Sequence, residues 1–186
     1  MFRIFGVFAL GFDFDLNHVF NKLELPAENS RLISQPWTLI TYMFFHKGFL
    51  HLLFNMLWLH FAGKIFLQHL NPKQLLSTYI LGGISGGLLF IIAYNYIPAL
   101  EVSVYQATLL GASAAVLAIM VAIATYTPNY IVRFSFIGIV KLKHIALLCI
   151  ILFVIVPLSE KSMANELKEN KSLLNAGGYI AHLGGV

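Results

Sequence analysis

QLLSTYILGGISGGLLFIIAYNYI, residues 74 to 97, runs its whole length without a charged side chain. An α-helix rises 1.5 Å per residue, so about 20 apolar residues cross the hydrocarbon core of a bilayer. This stretch is long enough to do so. Working outward, further apolar stretches of spanning length lie at about 49–68, 109–127 and 143–158. The whole chain has 186 residues, of which 59% are hydrophobic and 11% charged. Soluble domains carry about 25% charged residues. With a mean hydropathy of +0.79, the chain has too little polar surface to cover a water-soluble globule. The expected fold class is all-α, a polytopic membrane helix bundle in a lipid bilayer, built as one transmembrane domain over residues 1–186.

The two ends read as partial spans. FRIFGVFALGF (2–12) is about half a span, and no A-x-A-like cleavage site follows it, which argues against a signal peptide. AGGYIAHLGGV (176–186) opens another apolar segment and stops. The expectation is therefore a fragment, with four whole spans between two partial ones. Residues 13–47 form a long first loop. Phe12, Leu16, Val19, Phe20 and Leu23 recur at helical spacing, with polar residues largely between them, as in a helix lying in the membrane interface. Residues 129–141 also read as interfacial, with Arg133 and Lys141 bracketing an apolar run. Trp37 and Trp58 are expected to anchor opposite ends of one helix.

Charge distribution orients the spans. The segments around 64–73 and 128–143 carry Lys64, Lys73, Arg133, Lys141 and Lys143 and no acid, whereas 13–47, 98–108 and 159–175 hold all eight acids. The first set belongs to the cytoplasmic side. The net charge of +4 has no basic cluster behind it, so nucleic acid is not an expected partner. The single cysteine, Cys149, lies in an apolar run and allows no intrachain disulfide.

On that orientation, polar residues on three spans fall at a similar depth. Ser113 is about one turn below the outer end of its span, His182 about two turns into the last one, and His51 and Asn55 in the first two turns of the span at 49–68. Each is roughly 5–10 Å below the outer surface. A serine hydroxyl becomes a nucleophile when an adjacent base takes its proton, and His182 is placed to be that base. The oxyanion formed on attack needs donors, which His51 and Asn55 present one turn apart on one helix face. No acid falls within a complete span, so a Ser–His dyad fits better than a triad. Ser85, in GGISGG (82–87), matches a G-x-S-G pattern more closely. It sits mid-span, among small-xxx-small pairs that let helix backbones touch. Taken alone, Ser113 also reads as a packing residue. His46, His51 and His60 do not share a helix face, and no acid or cysteine joins them, so neither a metal nor any other cofactor is expected.

PWTLITYMFFHKGFLHLLFNMLWL (36–59), GASAA (111–115) and GGYIAHLGG (177–185), in this order within one apolar chain, resemble the rhomboid intramembrane serine proteases. The resemblance covers about residues 36–186. It implies a six-helix bundle, here truncated at both ends, with Ser113 as nucleophile, His182 as general base, and His51, Asn55 and the Ser113 N–H as the oxyanion hole. It also implies that the span at 143–158 gates lateral access. The substrates would be single-span membrane proteins, cut near the outer membrane face. A bacterial cytoplasmic membrane fits the resemblance. The sequence departs from the family pattern at Ala114, where glycine is usual, at Leu117, where many members have tyrosine, and at Thr38, where arginine is common. The alternative is a catalytically silent rhomboid-like pseudoprotease that binds transmembrane segments. A channel or carrier ranks last, because mid-span ionisable groups are lacking.

Overall fold

The structure, a computed structural model, describes residues 21–46, 48–101, 103–134, 138–151 and Gly185. Two long apolar helices dominate it: α3 (Phe49–His69) and α4 (Pro72–Tyr96). Ahead of them stand β1 (Leu25–Pro26), α1 (Asn29–Ser34) and α2 (Thr38–Thr41), the last continued by a 3-10 turn at Tyr42–Phe44. After α4 come α5 (Pro98–Glu101), β2 (Thr108–Leu109), α6 (Ser113–Tyr126), β3 (Ile131–Phe134), β4 (Gly138–Lys141) and α7 (Leu142–Ile150).

Local chemistry sets the boundaries of α4. Asn71 accepts from the Gln74 backbone at 2.9 Å, and the Gln74 side chain accepts from the Asn71 backbone at 3.0 Å. Pro72 occupies the first helical position, where its missing N–H costs nothing. At the far end Pro98 pushes Ile97 out of helical geometry. Within the most apolar windows of α3 and α4, only 28% of each is buried inside the chain. A helix that is apolar all round yet mostly uncovered is matched to lipid rather than to water. These are the two described helices long and apolar enough to cross a membrane.

The expectation of an all-α fold needs amending. The described residues are mostly helical, with two short antiparallel ladders added. β1 pairs with β2 in the register Leu25↔Leu109 and Pro26↔Thr108, tying the first loop to the segment that leads into α6. β3 pairs with β4, where an interfacial stretch was expected at 129–141. The expected span at 109–127 is also shorter. Its first residues form β2 and a turn, and the helix starts at Ser113. Trp37 and Trp58 do not share a helix: Trp37 precedes α2 and donates from Nε1 to the Lys22 carbonyl at 2.9 Å. Residues 13–20 of the expected interfacial helix, and the expected span at 143–158 beyond residue 151, lie outside the described residues.

Two clusters of buried side chains hold the bundle. One joins Leu25, Tyr42, Met43, Phe90, Ile91, Tyr94, Leu100 and Leu109. The other joins Ala62, Phe66, Leu117, Ile119, Met120, Ile123, Leu142 and Ile145. The contact between α4 and α6 is made by small residues. A Cβ on Gly82 would stand 2.3 Å from Ala118 Cβ, 3.5 Å from Ala115 Cα and 3.6 Å from Ala114 O. Of the 82–87 glycines expected to pack, Gly82 brings these two backbones together, while Gly83 and Gly87 admit Met43 and Leu25 from the first loop.

Candidate active site

The segment 111–113 is shaped before any side chain acts. Gly111 has φ +126°, a region that L side chains rarely adopt. Its N–H donates to the Tyr42 carbonyl at 3.0 Å. A Cβ at Gly111 would stand 2.7 Å from His51 Cε1 and 3.0 Å from Nε2, so that edge of the His51 ring occupies the space that glycine leaves. Ala112 is fully buried and stands just outside α6, and Ser113 is the first residue of that helix. A helix start presents N–H groups that have no acceptor within the helix.

His51 and Asn55 lie on the first two turns of α3. Asn55 is buried, and its Nδ2 donates to the His51 carbonyl at 2.8 Å. An amide nitrogen carries two N–H groups, so this bond orients Asn55 while using one of them. His51 thus lies beside Gly111, two residues ahead of Ser113 in the chain.

Depth, however, differs from the expectation. α6 has 14 residues against 25 in α4, and Ala114 lies level with Gly82. Ser113 thus sits near the middle of α4, roughly 15–20 Å along the axis from its Tyr96 end. Ser85 occupies much the same depth, so depth does not separate the two serines. Backbone context does: Ser85 is interior to α4, where the N–H groups are spent on the helix, whereas Ser113 is at a helix start. Ser85 lines a groove between α4 and α6 with Gly82, Ala118, Ala122 and Tyr126.

His182 lies outside the described residues. Gly185, three positions on, is described and buried. A Cβ there would stand 2.1 Å from Ala114 O and 2.8 Å from Ala114 C. Gly185 is thus pressed onto the residue that follows Ser113.

One site residue escaped the sequence reading. His46 was weighed only as a metal ligand. In the structure it precedes α3 in non-helical backbone, and its ring meets the His51 ring edge-on with centroids 5.0 Å apart. The Ala112 N–H donates to His46 Nε2 at 3.3 Å. That bond needs a lone pair on Nε2, which places the proton of the neutral ring on Nδ1. Nδ1 is buried and has no hydrogen-bond partner among the described residues. Burial, reinforced by the charge His51 can carry, pushes the His46 pKa down to about 4. A helix-face argument could not pair residues five apart because only one of them is helical. Among the described residues no group of three or more His, Cys, Asp or Glu could hold a metal ion.

The outer loops brace this arrangement. Tyr42 Oη donates to the Gly83 carbonyl at 2.6 Å, and Tyr79 Oη donates to the Met43 carbonyl at 3.1 Å. Thr108 Oγ1 donates to the buried Glu24 carboxylate, beside the β1–β2 ladder.

Two long, lipid-matched helices packed around a helix that starts at Ser113, just after a glycine turn, define a helical membrane protein. The particular family follows from comparison with known proteins. The rhomboid domain family matches residues 34–186, and the chain belongs to the rhomboid family. It is similar to RHOMBOID-like protein 12, mitochondrial, from Arabidopsis thaliana, with 30% identity over 123 residues covering 62% of this chain. The match spans 36% of that relative's length. No solved structure matches.

Proposed function

We propose that this chain is an intramembrane serine endopeptidase working through a Ser113–His182 dyad. The observation that carries the reading is the turn at Gly111–Ser113, with the His51 ring packed on Gly111 and Ser113 opening α6. A peptide carbonyl brought to Ser113 would meet the N–H groups of the helix start and the His51 and Asn55 side chains. Donors fixed in advance stabilise the developing oxyanion without reorganising. His182 would take the Ser113 proton and then return it to the leaving amine. It stands three residues from Gly185, a stretch the chain extends over at most about 11 Å, and Gly185 lies on Ala114. Departure of the amine leaves an acyl-serine, which water hydrolyses. The substrates are transmembrane proteins reaching the site from the bilayer, and the protein is multi-pass, in a bacterial cytoplasmic membrane.

Labelling the membrane-embedded chain with a fluorophosphonate tests this reading. Labelling is expected in the parent and in Ser85→Ala, and is expected to be lost in Ser113→Ala and His182→Ala. Labelling that persists in Ser113→Ala would overturn the assignment of the nucleophile. A silent parent that stays silent when longer chains are tested would favour the pseudoprotease.

A further inference from the structure

The β3–β4 hairpin has no part in the site above, and its outer face has an unusual composition. In an antiparallel ladder alternate residues share a face, and directly paired residues lie side by side. The register Ile131↔Lys141 and Arg133↔Ile139 therefore puts two isoleucines and two cations on one face, with each cation beside an isoleucine. The other face carries Val132 and Val140, half-buried against the α6–α7 core cluster. The outer isoleucines are 52% and 69% exposed. A hairpin face turned to water would be polar; this one alternates large apolar groups with positive charge.

Its position is defined as well. The hairpin links the end of α6 to the start of α7. Tyr130, next to Ile131, donates from Oη to Gln68 Oε1 at 2.8 Å, and its ring meets His69 edge-on at 5.5 Å. The hairpin thus lies at the end of the bundle where α3 finishes and α4 begins. Lys64, His69, Lys73, Lys143 and His144 gather at this same end. The described acids, Glu24, Glu28 and Glu101, lie in the outer loops, near β1 and just after α4.

We propose that the β3–β4 hairpin rests on the headgroup layer of the membrane holding the bundle and binds anionic phospholipid there. Ile131 and Ile139 enter the boundary between headgroups and acyl chains, while Arg133 and Lys141 meet lipid phosphates. Apolar burial and attraction to anionic headgroups add in such elements. Arginine adds a bidentate fork suited to phosphate. Nucleic acid would supply the anions but nothing for the isoleucines. The proposal is independent of the role of Ser113.

The test uses the full chain in phosphatidylcholine vesicles with and without phosphatidylglycerol. Spin-labelled phosphatidylglycerol and phosphatidylcholine report how strongly each lipid is held at the protein. We expect a several-fold preference for the anionic lipid, weakened by salt. Arg133 and Lys141 are two of five Lys and Arg side chains at this end, so R133Q/K141Q should clearly reduce the preference while leaving the share of Lys64, Lys73 and Lys143. Lys22→Gln/Arg31→Gln, in the outer loop, should leave it unchanged. An equal hold on both lipids, or a preference unchanged in R133Q/K141Q, overturns the proposal. A second measurement does not depend on these variants. A small fluorophore on Ile139→Cys (in a Cys149→Ala background) should be quenched by headgroup spin labels and shielded from aqueous iodide. Unhindered iodide quenching would place this face in water, as a surface for a soluble partner, and would equally overturn the proposal.

Discussion

Gly111 carries the most local constraint in the site. Alanine there must adopt φ +126° and place a methyl 2.7 Å from His51 Cε1. Backbone strain of this kind costs about 1–3 kcal/mol, before the clash is counted. Gly111→Ala is expected to lower the melting temperature and to abolish fluorophosphonate labelling, because the residue that moves is two positions from Ser113. His51→Ala leaves the backbone intact and removes the side chain proposed as an oxyanion donor. Its labelling or cleavage rate should fall about 10²–10³-fold at unchanged helicity. His46 acts through Ala112, so its effect depends on protonation. Its pKa is about 4 in the fold against 6.5 in the open chain. Across that window the unfolded state binds more protons, so stability rises with pH. As pH falls from about 6.5 towards 4 the fold weakens, and below that the loss levels off. Denaturant titrations of His46→Gln, which keeps an acceptor but does not titrate, should show a flatter slope through this window than the parent. An identical slope in both would remove His46 from the account.

Among the elements, the α4–α6 contact decides where Ser113 sits. Gly82→Ala forces a methyl to within 2.3 Å of Ala118 Cβ, and neither backbone can yield without moving the helix start at Ser113. Overpacking of this kind typically costs about 1–3 kcal/mol. Ala118→Gly alone should cost about 1 kcal/mol through helix propensity. In the double variant the remaining neighbours, Ala115 Cα at 3.5 Å and Ala114 O at 3.6 Å, are at ordinary contact distance. The two changes should therefore offset each other, with a coupling of about 0.5–3 kcal/mol in a denaturation cycle. Strict additivity would show that the helices pack elsewhere.

For the whole molecule, the uncovered apolar surface of α3 and α4 sets the environment. With only 28% of their most apolar windows buried, these helices need lipid around them. The chain is expected to stay in the membrane pellet after alkaline carbonate washing. Appearance in the supernatant would contradict a spanning arrangement. Within the bundle, α6 is some 11 residues shorter than α4, so the segment 103–112 descends into the bundle and carries Ser113 with it. That descent is supported from outside by the Leu25↔Leu109 ladder and by the Tyr42 carbonyl that receives Gly111.

Hydropathy by itself marked α3 and α4 as helices fit to cross a membrane, because the transfer free energy of a long apolar run is a sum over its residues and needs no partner. The ends of α4 were equally legible, since Asn71, Pro72 and Pro98 act on their immediate neighbours. The motifs GASAA and HLLFN, with their order, marked Ser113, His51 and Asn55. Other features belonged to the tertiary structure alone. The β1–β2 and β3–β4 ladders join short segments whose hydrogen bonds are decided by what lies opposite, not by their own composition. The approach of His46 to His51 and Ala112 depends on the chain entering α3 from non-helical backbone, which spacing on a helix cannot register. The start of α6 at Ser113 instead of 109 is illegible for the same reason. Residues 109–112 are apolar and look like helix, but their backbone groups pair with Leu25 and Tyr42 instead, and that competition is settled only when the first loop packs on α4.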